Sequence, residues 1–191
     1  MVIKMTNRST LTPPILFTYE DYLHFSDEKR YEIINGEVYM VPSPLTYHQK
    51  VLALLYMSLW DFVEEHQIGE VLLAPLDVVL SEIDVVQPDI MYISNERRRI
   101  ITEKNIQGAP DLVIEILSPS TAYKDQTIKT KIYSKYGVKE MWLVDPEKKE
   151  IQLLVLNPSL LTPLKTYHVP EILKSPLVTG FTLPLDKIFK S

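Results

Sequence analysis

The chain has 191 residues, of which 46% are hydrophobic and 24% charged, with a formal net charge of −5 and no cysteine. These values predict one globular domain with a sizeable core; they exclude disulfides and thiolate metal sites, and they argue against loose, non-specific binding to nucleic acid. No apolar run approaches the roughly 20 residues of a membrane-spanning helix, and residues 1–10 lack the apolar stretch of a signal peptide, so we expect a cytoplasmic protein without membrane contact.

The N-terminal part of the chain divides into an arm and the start of the domain. Residues 1–14 are polar, end in two prolines, and are predicted to form a flexible arm. Residues 15–191 are predicted to form a single domain. Within it, Thr18 and Asp21 have the spacing of a capping box, which predicts a short helix directly after Thr18.

The clearest turn signal is Asn35-Gly36, which lies inside the strand-like stretch 31–40. Both central residues of a type I′ turn need positive φ, and this pair suits that requirement. The stretch is therefore predicted to be a β-hairpin in which Glu32 faces Tyr39 across the two strands.

A long amphipathic helix is predicted next. Its apolar residues recur at helical spacing from Val51 to Val63. Thr46 is the predicted N-cap, the helix runs to about His66, and Gly69 follows as a stop signal. His48 falls on the same side of the helix as the first apolar residues.

The remainder of the chain is predicted to alternate strands with one helix. The strands are expected at 70–80, with an interruption at Pro75, and at 85–93, 110–117, 140–145 and 151–156. The helix is expected at 125–136, and a final segment, 181–189, is expected to pack back on the core. Because strand, helix and strand follow one another between 110 and 145, those two strands should be parallel. The fold class is therefore α/β, with a mixed β-sheet flanked by helices.

Two strand-like runs carry an acid among apolar residues. Asp89 lies in the run 85–93, and Glu115 lies in the middle of the run 110–117. If these strands are neighbours, the two carboxylates lie close together, and they need a cation to stay ionised. Without cysteine, the metal would be a hard ion such as Mg²⁺ or Mn²⁺. The alternative is that each carboxylate faces solvent at a strand end.

Three further side chains are candidates for the same site. Lys129 shares a helical face with Asp125 and Tyr133, each one turn away, and an ammonium group there could orient a water or neutralise developing charge. Its alternative is a solvated helix surface. Glu32 could add a carboxylate or remain a cross-strand surface residue, and His48 could contact a phosphate or simply pack.

Several motifs in order along the chain resemble the Uma2 family of restriction-endonuclease-like proteins. The resemblance covers about residues 15–189. The matching segments are RYEIINGE at 30–37, Ser43-Pro44 leading to His48, Gln87-Pro88-Asp89, PDLVIEILSPST at 110–121, Lys129-x-x-x-Tyr133 with Gly137-Val138, and WLVDP at 142–146.

The resemblance implies the restriction-endonuclease-like fold of PD-(D/E)xK nucleases and assigns roles to residues. Asp89 and Glu115 match the two acids that bind the divalent metal, and Glu32 matches an upstream acid. The motif expects a lysine two residues after the second acid, where this sequence has Leu117. Lys129 matches a lysine that has moved to the following helix, and Lys131 is the alternate.

The resulting hypothesis is an Mg²⁺- or Mn²⁺-dependent endonuclease that hydrolyses DNA. Its catalytic residues would be Asp89, Glu115, Lys129 and Glu32, with His48 auxiliary. Lys129 would position or deprotonate the nucleophilic water. A homodimer is expected by analogy with nucleases that cut two strands, and because two-fold dimers are the commonest assemblies. The alternative is a catalytically inactive binding or assembly module that retains the nuclease fold; the negative net charge and Leu117 favour it.

Overall fold

The structure is a computed structural model that describes residues 15–26, 29–118 and 124–190. The predicted arm, 1–14, and the end of the PDLVIEILSPST motif lie outside these residues. Within the described ranges no helix is both long enough and apolar enough to cross a bilayer.

Thirteen strands and four α-helices are assigned in the described part of the chain. The strands are β1 Arg30–Ile34, β2 Glu37–Val41, β3 Gly69–Leu73, β4 Val78–Ser81, β5 Asp84–Val86, β6 Ile90–Ser94, β7 Ile106–Gln107, β8 Leu112–Ile116, β9 Glu140–Asp145, β10 Glu150–Leu156, β11 Leu161–His168, β12 Ile172–Lys174 and β13 Thr182–Pro184. The helices are α1 Tyr19–Tyr22, α2 Thr46–His66, α3 Thr130–Tyr136 and α4 Leu185–Ile188.

The main sheet has six strands in the order β11-β10-β9-β8-β6-β3. The parallel pairing of β8 with β9 confirms the predicted strand–helix–strand crossover, and β8 pairs antiparallel with β6. A second sheet has the order β2-β1-β5-β4-β7, and β12 pairs with β13 in a small third sheet. The mixed α/β architecture with flanking helices agrees with the predicted fold class.

The main sheet buries apolar side chains on both faces, in keeping with the alternation of side chains along a strand. Its even-numbered β6 and β8 residues pack against α2 and the C-terminal segment, including Phe181, Leu185 and Phe189. The odd-numbered residues of β6 and β8 pack against α3 and the second sheet. The prediction that 181–189 packs on the core is thus confirmed.

The local predictions for the N-terminal hairpin hold. The side chain of Thr18 accepts a hydrogen bond from the backbone of Asp21 in a complete capping box. In the hairpin, Glu32 pairs with Tyr39, and the turn residues Asn35 and Gly36 have φ values of 52° and 76°.

The last helical residue of α2, His66, is as predicted, but both capping residues differ from the prediction. The N-cap is Leu45, which makes no side-chain capping bond, and Thr46 is the first helical residue. The C-cap is Gln67 in the left-handed conformation, with φ 52°, while Gly69 already begins β3. Gln67 N–H bonds to Val63 and Glu64 carbonyls, so the helix closes two residues before the glycine.

The predicted strand 70–80 is interrupted around Pro75, as expected, whereas the predicted strand 85–93 is wrong as a single element. The second one splits into β5 and β6, which belong to different sheets, and the chain crosses between the sheets at Gln87-Pro88-Asp89. Pro88 has no N–H to give to a ladder. The Gln87 N–H instead bonds to the Glu32 carboxylate at 3.0 Å. The first one divides in the same way into β3 and β4, again in different sheets.

The predicted helix 125–136 is present but has two forms. A π-helix spans Lys124–Lys129 and continues into α3. The helix ends at Gly137, whose φ of 81° confirms the predicted C-cap. This helix directly follows β8, so its buried face lies over the strand that carries Glu115.

Candidate active site

A cavity of about 310 Å³ lies where the main sheet and the second sheet meet. Its walls come from the β1–β2 hairpin, the N-terminal end of α2, the sheet crossing at 87–89, the end of β8 and the π-helix. The charged and polar residues that line it are Arg30, Glu32, Ser43, His48, Gln49, Gln87, Asp89, Glu115, Ser118, Asp125 and Lys129. All five residues proposed from the sequence, His48 included, therefore line one cavity.

Lys129 is at the centre of this cluster and is almost entirely buried, with 3% of its surface exposed. Its ammonium nitrogen Nζ lies 2.7 Å from Glu32 Oε1, 3.0 Å from Glu115 Oε1 and 3.5 Å from Asp125 Oδ1. The predicted alternative, a solvated surface lysine, is therefore wrong. Lys131, the alternate lysine, is exposed and does not line the cavity.

The charge state of Lys129 follows from these carboxylates. Burial acts to lower the pKa of Lys129, but the negative charges of Glu115 and Glu32 outweigh it and raise the pKa well above its ordinary value. The group is therefore a stable ammonium ion in this arrangement. It can donate hydrogen bonds and offset negative charge, but it cannot accept a proton.

Glu115 occupies the face of β8 that looks toward α3, and 3% of its surface is exposed. The Tyr133 hydroxyl donates to Oε1 of Glu115 at 2.6 Å, and Lys129 contacts the same oxygen. Burial raises the pKa of Glu115 to about 8, and the positive charge of Lys129 limits that rise. The charges of Asp125 and Asp89 act in the same direction as burial. Positive charge beyond that of Lys129 is therefore needed to keep the Glu115 carboxylate fully ionised near neutral pH.

Glu32 is 1% exposed, so the alternative of a cross-strand surface residue is wrong. The hairpin register places it at the centre of β1, opposite Tyr39. Its Oε1 accepts a hydrogen bond from the Gln87 N–H and also contacts the Lys129 ammonium. Glu32 thus ties the hairpin to both the sheet crossing and the lysine.

Asp89 directly precedes β6, beside the C-terminal end of β8. The last paired residues of these strands are Ile90 and Ile114, so the register brings Asp89 opposite Glu115. The expectation that these two strands are neighbours is therefore confirmed. Asp89 Oδ2 accepts a hydrogen bond from the Ile116 N–H at 2.8 Å, which fixes the carboxylate at the cavity.

His48 approaches the same carboxylate from the first turn of α2. Its Nε2 lies 3.3 Å from Asp89 Oδ2. Burial lowers the pKa of His48, but the hydrogen bond to Asp89 and the charge of Asp89 outweigh it and raise the pKa overall. Within the described residues, the buried Nδ1 atom has no hydrogen-bond partner.

Sequence reasoning did not assign site roles to Asp125, Tyr133 or Gln87. The signal for Asp125 and Tyr133 is local, because both lie one helical turn from Lys129. The sequence gives no such signal for Gln87. This residue joins the site through its backbone N–H, whose position depends on the sheet crossing at 87–89. The three consecutive arginines at 97–99 lie in a 3₁₀-helix, Asn95–Ile100, and do not line the cavity.

The donor set can be tested for its fit to a divalent cation. In the described ranges no group of three or more His, Asp or Glu side chains is arranged to hold a metal ion. Mg²⁺, however, is commonly held by only one or two carboxylates, with waters and substrate phosphates completing its shell. Asp89 and Glu115 line one cavity, and among the described residues their contacts use Asp89 Oδ2 and Glu115 Oε1 and leave the second oxygen of each carboxylate for the cation. Asp89 and Glu115 therefore fit such an ion.

Comparisons with known proteins agree on one family and one fold. The model of the Uma2 family, described as "Putative restriction endonuclease", matches residues 18–186. A solved structure is similar over 91% of this chain and 97% of its own, with a TM-score of 0.77 and 21% identity. It is the crystal structure of "a putative nuclease belonging to DUF820 from Anabaena variabilis ATCC 29413". No curated protein matches the chain significantly.

Proposed function

Because this chain belongs to the Uma2 family, we propose that it is a nuclease that hydrolyses phosphodiester bonds of DNA with Mg²⁺ or Mn²⁺. The observation that carries the proposal is the cavity in which Asp89, Glu115 and the Lys129 ammonium lie together. The nuclease-like fold supports the reaction class. Cleavage within a strand, a homodimer with one site per strand, and a cytoplasmic location, which the cysteine-free sequence favours, are parts of the same proposal.

Asp89 and Glu115 would hold the metal ion. A divalent cation held there supplies an activated water and positive charge for the phosphate oxygens. The chain's own part is to fix both carboxylates before substrate arrives. The Ile116 N–H does this for Asp89, and the Tyr133 hydroxyl does it for Glu115.

Lys129 would orient the attacking water and offset charge that develops on the phosphate. A preorganised ammonium in a buried site is well suited to this, because little solvent screens it. Because the pKa of Lys129 is raised, the proposal assigns it no role as a general base. Glu32 acts through Lys129, at 2.7 Å, and is thus a positioning residue. His48 is proposed as an auxiliary group beside Asp89.

One observation favours the second candidate, an inactive module with the nuclease fold. The Lys129 ammonium contacts Glu32, Glu115 and Asp125, and such a buried ion-pair network can serve stability alone. In that case the lysine replaces the metal ion as the counter-charge of the cavity. Isothermal titration with Mg²⁺ and Mn²⁺ separates the candidates, since an inactive module of this kind binds neither ion at millimolar concentration.

The test of the proposed function is cleavage of supercoiled plasmid in the presence of Mg²⁺ or Mn²⁺. A closed circle has no ends, so nicked or linear product shows cleavage within a strand. The informative variants are Asp89→Asn and Glu115→Gln, which keep side-chain shape and remove charge. Asp186→Asn is the matched control, because Asp186 is exposed on α4.

We expect the wild type and Asp186→Asn to cleave at equal rates. Asp89→Asn should lose both cleavage and metal binding while its circular dichroism spectrum is unchanged, because asparagine can still accept the Ile116 hydrogen bond. Wild-type rates in Asp89→Asn would remove that residue from the mechanism. If the wild type binds DNA but neither it nor any variant cleaves the plasmid, the inactive module is favoured.

A further inference from the structure

The outer face of α2 is exposed along the helix and has an apolar centre between opposite charges. It consists of residues at successive helical turns, all of them exposed: Lys50, Ala53, Met57, Trp60 and Glu64. Met57 is 57% exposed and Trp60 is 41% exposed. Contiguous exposed apolar side chains with a charged rim are typical of a protein interaction site.

We propose that the α2 outer face binds a second copy of this chain, with the two helices antiparallel about a two-fold axis near Met57. Lys50 lies seven residues before Met57, and Glu64 lies seven residues after it. Antiparallel pairing therefore brings Lys50 next to Glu64 of the partner subunit, and the symmetry repeats this contact at the other end. Such self-complementarity is what a two-fold interface requires.

The charge pattern selects this arrangement over the parallel one. Parallel helices would place Lys50 beside Lys50 and Glu64 beside Glu64, and they would also align the two helix dipoles unfavourably. In the part of the chain that the structure describes, neither side chain has an ion-pair partner. Both charges are therefore available to a second copy.

The size of this face predicts a weak dimer. The 21 residues of α2 span about 32 Å, and a contact strip roughly 10 Å wide would bury about 600 Å² in total. Stable interfaces bury about 1,200 Å² or more. The dimer should therefore form at high micromolar protein concentrations and dissociate on dilution. The inference assigns a surface to the homodimer proposed above, and its test does not depend on nuclease activity.

Sedimentation equilibrium over a range of concentrations tests the proposal. The variants are Lys50→Glu, Glu64→Lys, the double exchange of both, and Met57→Asp. Lys104→Glu is the control: it makes the same charge change at an exposed position on another part of the chain. Because every substituted residue is exposed, thermal melts should match that of the wild type.

We expect the wild type and Lys104→Glu to approach twice the 22.1 kDa chain mass. Each single charge reversal alters both ends of the interface and should weaken association about tenfold. The double exchange restores both pairs and should recover association, and Met57→Asp should give monomer throughout. A wild type that stays at the monomer mass at all concentrations would overturn the proposal, even if the face binds another molecule. Wild-type association in Met57→Asp would also overturn it.

Discussion

Replacing Lys129 with methionine is expected to lower the free energy of unfolding by about 3 kcal/mol near neutral pH. The ammonium contacts three carboxylates, and each is at least 95% buried by side-chain area. Removing one partner of a buried ion pair costs about 3–5 kcal/mol, because the remaining charge stays buried without compensation. Methionine has a similar volume, so packing contributes little to the loss.

The lower end of that range applies here because two of the carboxylates keep other donors. Glu32 retains the Gln87 N–H, and Glu115 retains the Tyr133 hydroxyl. For a chain of this length, 3 kcal/mol corresponds to a fall in Tm of about 6–12 °C. Urea denaturation and calorimetry measure the two quantities independently.

Two further proteins make the experiment specific. Lys131→Met changes an exposed lysine two residues away and should alter stability by about 0.5 kcal/mol or less. Adding Glu115→Gln to Lys129→Met removes one of the three carboxyl groups that lost their cation and should recover part of the loss, which a double-mutant cycle reports as coupling. A loss below about 1 kcal/mol in Lys129→Met, equal to that of Lys131→Met, would refute the reasoning.

Two other predictions concern stability away from the cavity. Burial acts to raise the pKa of Asp84, but hydrogen bonds from Tyr136, Asn35 and Lys135 outweigh it and lower the pKa below its ordinary 3.8. The contribution of Asp84 to the free energy of unfolding is therefore complete above pH 3.8 and is lost as the pH falls through the lowered pKa. Urea melts between about pH 5 and pH 2 should show a steeper loss for wild type than for Asp84→Asn, and equal slopes would contradict this. Gly36 and Gly137 both have positive φ, but a Cβ at Gly36 would come within 2.7 Å of a neighbouring side chain, whereas none lies within 4 Å at Gly137. Alanine at either position should cost about 1 kcal/mol in backbone strain, and thermal melts should show a clearly larger loss for Gly36→Ala.

The elements that could be predicted from the sequence are those whose cause is local. The turn at Asn35-Gly36 needs positive φ at two successive residues, and the sequence supplies residues that tolerate it. The capping box at Thr18 and the C-cap at Gly137 depend on residues a few positions apart. The parallel pairing of β8 with β9 follows from the helix between them.

The elements that were wrong depend on contacts between distant residues. The run 85–93 is apolar throughout, but Pro88 cannot donate to a ladder, and the chain leaves one sheet for the other at that point. Pro88 was the local warning. The destination of β5, which pairs with β1 and β4, has no local signal. The C-cap of α2, Gln67, has no local signal either, since glycine is the more common residue for the left-handed conformation.

The site divides along the same line. The spacing of Asp125, Lys129 and Tyr133 already places them on one helical face. That this face meets Glu115, and that Glu32 reaches the lysine from a different sheet, depends on tertiary packing alone. The family resemblance could indicate these residues without coordinates, because the motifs of a family come from proteins in which the same packing brings the residues together.

The most direct measurement is a crystal structure after soaking in Mn²⁺, with data collected for anomalous scattering. The account predicts an anomalous peak in the cavity within coordination distance of carboxylate oxygens of Asp89 and Glu115, with Lys129 beside it. The Asp89→Asn crystal, soaked identically, should lack the peak. Wild-type crystals without a peak in the cavity, in which Lys129 still contacts Glu115 and Glu32, would contradict the metal-dependent mechanism.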